Sequence, residues 1–492
     1  MSPRMLRSRR VVAPLVVSSL LACGGGPPPV STRQITGARQ VTVWPDTGKG
    51  GLYPTVDSQD PATTVTAWSV DGKTHVTGTL DRTGAFKIDG APTGPYLLEF
   101  HPGTGGRWFI RTEASIVDLS HDLLGHAGVR YPNQPTAVTF DLAGLVAADP
   151  QDLVEMTCSN ASLWERLVPQ NTLSPGVTSW SAPFAWAARP SPLVSGQAGD
   201  IVYVNQLSTR VDPGTGLTYQ AATRWASTVL TVTDGFNLEV PVTLSPTTSS
   251  GRLSAFWRLS QFEATLADFP PGSQVNQHTL YIEGIAWGLD LGPDPRVGNP
   301  DLLHASASPS TPDAMLDLSY GRFLPPLWKE RLTATMTIRQ QFPFQGETVA
   351  YSSSISIQSS MDAPPAELAP TIGPVRNVRI NDQDASRVLT GVGSGPIVSW
   401  TAPRSGVPDY YATSLSKMTS NGGQISFTHI ATLYTAETRA QFPEGTLSAG
   451  TQVVASVMAL RMPTSHYQTA PAPFRRYFPR DYAQVATAPF LP

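Results

Sequence analysis

His121 and His126, five positions apart in "HDLLGH" with Asp122 between them, come closest in this chain to a transition-metal pair. Paired imidazoles bind such ions, but a zinc site needs a third and usually a fourth ligand. The alternative is a polar loop. Asp290, Asp294, Asn299 and Asp301 gather in "DLGPDPRVGNPD", a stretch rich in the oxygen donors that calcium prefers. The spacing matches no named calcium loop, and Asp, Asn, Gly and Pro are also ordinary turn residues. "INDQDAS", residues 380–386, is a weaker case of the same kind. Of the 11 tryptophans, Trp164, Trp180, Trp186, Trp225, Trp257 and Trp287 all fall in the middle of the chain. Exposed indoles can stack on sugar faces, although core packing is their commonest task. Trp180 and Trp186 lie in "VTSWSAPFAWAARP", which reads as strandless, and are the candidates for an exposed ligand-binding surface. There is no G-x-S-x-G elbow, phosphate loop, H-E-x-x-H or paired-cysteine zinc motif. No catalytic residue is assigned, and a non-enzymatic protein is expected.

Two cysteines complete the inventory of reactive side chains. Cys158 has no partner for an internal disulfide if Cys23 is otherwise engaged, and a buried thiol acting as a small hydrophobe is its expected state. Cys23 stands between an apolar run and "GGGPPP". Before it, Arg4, Arg7, Arg9 and Arg10 provide positive charge and residues 11–21 an apolar core. That core is shorter than the ~20 residues a membrane span needs and fits the apolar region of an export signal.

The run Leu20-Leu21-Ala22-Cys23 resembles the lipobox of bacterial lipoproteins. The resemblance implies cleavage before Cys23, a covalent diacylglycerol/acyl lipid on that cysteine, and a membrane partner reached through the lipid. Gly24, in place of a retaining aspartate, implies an outer-membrane lipoprotein, facing the periplasm or the outside. Ser8-Arg9-Arg10 resembles the start of a twin-arginine signal, so either export route remains open. An ordinary secretory signal with an incidental cysteine is the alternative. Gly24–Gly26 followed by Pro27–Pro29 makes a flexible and then stiff tether.

The elements that must carry any site are strands. Of the 492 residues only 14% are charged, while 46 prolines and 41 glycines punctuate short alternating apolar runs. A net charge of −3 offers no basic surface for nucleic acid. The expected fold is all-β: several β-sandwich domains in series, the middle one with one amphipathic helix. The domains read as a signal peptide (1–22), a tether (23–39), a first sandwich (40–132), a middle β-rich region (133–362), a proline-rich linker (363–374) and a last domain (375–492). In the first sandwich, residues 89–94 read as a tight loop. The helix is expected in "SAFWRLSQFEATLADF", where Phe256, Leu259, Phe262, Leu266 and Phe269 share one face, Ser254 is the N-cap, and Pro270-Pro271 end it.

Gly78, Gly84, Phe86, Gly90, Pro92, Gly94 and Tyr96 form a pattern similar to the transthyretin-like regulatory domain of carboxypeptidases. This resemblance implies a small sandwich that supports or binds and has no chemistry of its own. Trp400 and Pro403 in "PIVSWTAP", Tyr411, Leu447, Gly450, Val453, Ala455 and Val457 together resemble a fibronectin type III domain. Fold resemblance does not assign an activity, and both units look like supporting modules, with any binding surface expected on the middle one. The expected function is a lipid-anchored structural or interaction protein of the cell envelope, with envelope proteins or glycans as partners and no cofactor beyond the lipid and a conceivable calcium. The alternative is a glycan-binding protein or an envelope hydrolase with its site in the middle region.

Overall fold

The computed structural model describes residues 33–44, 55–56, 62–103, 105–126, 129–167, 173–185, 191–286, 298–344, 347–421, 424–462, 471–474 and 478–492. Cys23 with the export segment and tether, Trp186, Asp290 and Asp294 lie outside these residues. Of His121 and Asp122 only the backbone is described, in strand His121–Leu124 beside Val41–Trp44. The fold is mostly β, with several sheets and one short α-helix among the described residues, Leu259–Ala264. No described helix is long and apolar enough to cross a membrane.

Four two-sheet sandwiches follow one another along the chain. In the first, strands Ile116–Asp118, Arg33–Ala38, Ala85–Ala91 and Thr79–Leu80 face His75–Thr77, Thr64–Ser69, Tyr96–His101 and Arg107–Thr112. Between the layers lie Ile35, Val65, Phe86, Ile88, Tyr96 and Leu98. Strand Ala85–Ala91 extends into what reads as a tight loop over 89–94, because Arg33 and Gln34 extend the ladder opposite Ala91 and Asp89.

The second sandwich packs Ser179–Ala185, Ala137–Ala143 and Asn237–Thr243 on Leu163–Arg166, Leu153–Cys158, Ile201–Val211 and Thr218–Val229. Cys158 is fully buried in its core with Phe140 and Met156. The stretch around Trp180 is therefore a strand, correcting its strandless reading. Trp180, Ala182 and Phe184 alternate toward the core, and Pro183 is tolerated because this is an edge strand. Pro241 marks the opposite edge in the same way.

In the third sandwich, Ala314–Arg322, Ser249–Trp257 and Glu367–Leu368 face Asp301–Ala307, Gln274–Ile285, Lys329–Phe344 and Glu347–Ser360. The helix starts later than the sequence pattern suggests. Ser254 and Phe256 belong to strand Ser249–Trp257, in which Gly251, Leu253, Ala255 and Trp257 are buried at every second position. That period of two overrides the helical spacing. The helix then buries Leu259 and Phe262 and gives way to a 3-10 turn before Pro270. The proline-rich stretch 363–374 runs against the body: Leu368 and Ile372 are fully buried, and the Gly373 amide donates to the Ser405 carbonyl at 2.9 Å.

The last sandwich sets Gln383–Asp384, Arg376–Ile380, Ile397–Thr401 and Arg439–Gln441 against Gln424–Thr435, Tyr410–Asn421, Val453–Arg461 and Asp481–Ala486. Val398, Trp400, Tyr411, Leu433 and Val457 fill the space between.

One layer of each sandwich joins a continuous 17-stranded sheet. Tyr219 of the second pairs opposite Ala305 of the third, and Ile355 of the third opposite Ala483 of the last. Strand Gln424–Thr435 of the last runs parallel to Arg107–Thr112 of the first. The spatial order is thus first, last, third, second, and the first and last sandwiches share an interface.

Candidate functional site

The curl of this sheet builds the site. Strand Leu163–Arg166 lies about four strand steps from Asp301–Ala307 in hydrogen-bonding order, which in a flat sheet is roughly 19 Å. Arg166 Nη2 nevertheless lies 3.7 Å from Asp301 Oδ2. The sheet has rolled over, and two register irregularities sit in its path, at Gln206/Leu207 and at Ile282/Glu283. Such bulges bend strands and increase their twist.

Glu155 pins the rolled edge. Fully buried, it accepts the Asp301 amide at 2.6 Å, the Asn205 side-chain amide at 2.9 Å and the Trp164 indole N–H at 3.2 Å. The Asn205 amide also donates to the Asp301 carbonyl at 3.1 Å. Burial, reinforced by the neighbouring Asp301 carboxylate, pushes the Glu155 carboxyl well above the ordinary carboxylate range, against the pull of those donors. With its oxygens facing three N–H groups behind the surface, this carboxyl braces the strands it bridges.

In front of it lies a groove of about 290 Å³. The groove is lined by Trp164 and Arg166, by Gln277, Thr279 and Tyr281, and by Asp301, His304 and Ser306, with Thr279 paired opposite Ser306 and Tyr281 opposite His304. Gln277, Thr279 and Tyr281 share a face because side chains alternate along a strand. The Arg166 guanidinium lies 5.2 Å over the Trp164 ring, and His304 Nδ1 is 3.2 Å from the Gln220 side-chain oxygen. Two buried atoms in the lining, Arg166 Nε and Thr279 Oγ1, have no hydrogen-bond partner among the described residues.

Of the residues singled out by sequence, Asp301 is brought into this groove, and Asn299 is fully buried nearby with both side-chain polar atoms unpaired among the described residues. Trp180 packs against the second core, away from the groove lining. His126 Nε2 lies 3.1 Å from Asp200, whose carboxylate also accepts the Ser195 amide. Among the described residues no group of three or more His, Cys, Asp or Glu side chains could hold a metal ion. "INDQDAS" folds as a hairpin in which Asn381 and Asp382 take φ of 49° and 63° between paired strands, the left-handed pair of a tight two-residue turn. Glu155, Asn205, Arg166, Thr279 and His304 carried no sequence signal, since they meet only through non-local strand pairing.

No family model matches the chain, and no curated protein matches it. A solved structure of chicken CNTN1 FN1-FN3 domains is similar over 73% of this chain and 98% of its own, at 10% identity. Its TM-score of 0.13 is too low to carry an argument.

Proposed function

We propose that the chain is a lipid-anchored, non-catalytic interaction protein of the bacterial cell envelope, held at the outer membrane through Cys23. The observation that carries the reading is the continuous sheet, which locks four sandwiches into one body and sets the N-terminal one against the C-terminal one. A tether on the first sandwich then leaves the second and third, with their groove, at the other end of the order. The first sandwich acts as a transthyretin-like support. In the last, strands Arg376–Ile380, Ile397–Thr401 and Arg439–Gln441 opposite Gln424–Thr435, Tyr410–Asn421, Val453–Arg461 and Asp481–Ala486 make the two-sheet antiparallel sandwich whose architecture fibronectin type III domains share, which supports that reading of the unit.

Metabolic acyl labelling with membrane fractionation, comparing the natural chain with Cys23→Ser, tests the anchoring. Label and membrane association are expected to vanish together in the variant. A variant that still fractionates with membranes, or a natural chain that is soluble and unlabelled, overturns it.

A further inference from the structure

We propose that the groove between the second and third sandwiches binds a neutral glycan chain, engaging one or two sugar rings at a time. Rings and hydrogen-bonding groups stand together in it. The half-buried Trp164 ring supplies apolar surface of the kind that packs on pyranose faces, while Tyr281, 7% exposed, contributes only its rim to the lining. The Trp164 N–H is tied back to Glu155 at 3.2 Å, so the indole is held in place before any ligand arrives.

The polar lining matches hydroxyl groups, which donate and accept at once. Arg166 Nε offers a donor, Thr279 Oγ1 both a donor and an acceptor, and both are buried and unpaired among the described residues. Thr279 is 3% exposed and lines the groove. A buried hydrogen-bonding group without a partner calls for an explanation, and a ligand hydroxyl supplies one. Asp301, 3.7 Å from Arg166, offsets the guanidinium charge and disfavours a purely anionic ligand. At about 290 Å³ the groove is at the small end of ligand sites, which fits a short stretch of a longer chain.

This inference rests on the proposed interaction role only for where the glycan is met. The test uses the full chain in detergent, with intrinsic tryptophan fluorescence and calorimetric titration of chitotetraose, cellotetraose, maltotetraose and mannotetraose, and heparin as the anionic probe. Saturable binding of at least one neutral tetrasaccharide is expected. Thr279→Val, which keeps the side-chain shape, should weaken it about fivefold, the share of one hydrogen bond. Arg166→Lys should weaken it, while Phe236→Ser, at an exposed aromatic of the second sandwich, should not. Binding of none of the four, binding unchanged in both groove variants, or binding of heparin alone overturns the proposal. Sugar binding by a chain that proves unlabelled would remove the anchor and keep the groove; a labelled chain without sugar binding would do the reverse.

Discussion

Trp108 and Tyr434 lie nearly parallel across the junction of the first and last sandwiches, with ring centroids 6.3 Å apart and 12° between their planes. Phe474 meets both rings edge-on and His429 lies 4.7 Å from the Trp108 ring. Tyr410, Ala412, Leu460 and Met462 of the last sandwich enter the core of the first. Gly72, in the left-handed region at φ 71°, brings its turn so close that an added Cβ would stand 2.9 Å from Pro443 Cα. The two units share a core and so should unfold together.

Trp108→Ala is therefore expected to cost about 2–3 kcal/mol, less than a fully buried tryptophan because the ring is half-buried. Differential scanning calorimetry should show the first sandwich melting as a separate, earlier transition. A single transition at the natural temperature would mean that the rings contribute nothing to docking.

Gln340 holds the junction of the third and last sandwiches. Its side chain accepts the Ala486 amide at 3.0 Å and donates to the Ala486 carbonyl at 3.2 Å, and it is 1% exposed. Gln340→Leu leaves both backbone groups buried and unpaired, at a cost of about 1–3 kcal/mol for each. Faster hydrogen exchange at Ala486 and a lower unfolding midpoint are expected, with the Glu155 cluster unaffected.

Arg331 and Glu283 form a buried ion pair with Nη2 and Oε2 2.8 Å apart, at 4% and 0% side-chain exposure. Removing one partner strands the other charge, so Arg331→Met should destabilise by about 3–5 kcal/mol. Arg331→Met with Glu283→Leu should recover most of that loss. Urea denaturation of the four species of the double-mutant cycle checks it, and equal losses in single and double variants would contradict it.

His278 is 1% exposed, beside Trp257 and Phe262, with Nε2 3.2 Å from Glu263 Oε1. Burial holds its imidazole below the usual 6.5, against the pull of Glu263. The folded state thus prefers the neutral ring. Its contribution is full above the unfolded value and is lost as pH falls through about 6.5 toward the lower folded value. The raised Glu155 carboxyl pulls the other way, so the signature is the difference between the natural chain and His278→Gln: from about pH 7.5 to 5.5 the natural chain's urea midpoint should fall relative to the variant's. His429, also lowered by burial, acts alike in both chains.

Alternation made the strands legible without a structure. Val65 and Ala67, or Tyr96, Leu98 and Phe100, point into the first core as a period of two implies, although Thr66, Leu97 and Glu99 between them are buried on the other face as well. Helical spacing misled at Phe256, because Trp257 and Leu259 serve a strand and then a helix within three residues. The stretch around Trp180 hid its strand because a proline interrupts it, and only the edge position makes that proline harmless.

The sequence by itself determined the class of the fold, since period-two patterns and turn residues are local properties, and it marked Cys23 and its tether as a candidate anchor. Tertiary structure alone decided which sandwich neighbours which. It also decided that Arg166 and Asp301, 135 positions apart by their numbering, meet across 3.7 Å. Strand pairing and sheet curl are long-range choices made by backbone hydrogen bonds, which every residue but proline offers alike and no side-chain pattern announces.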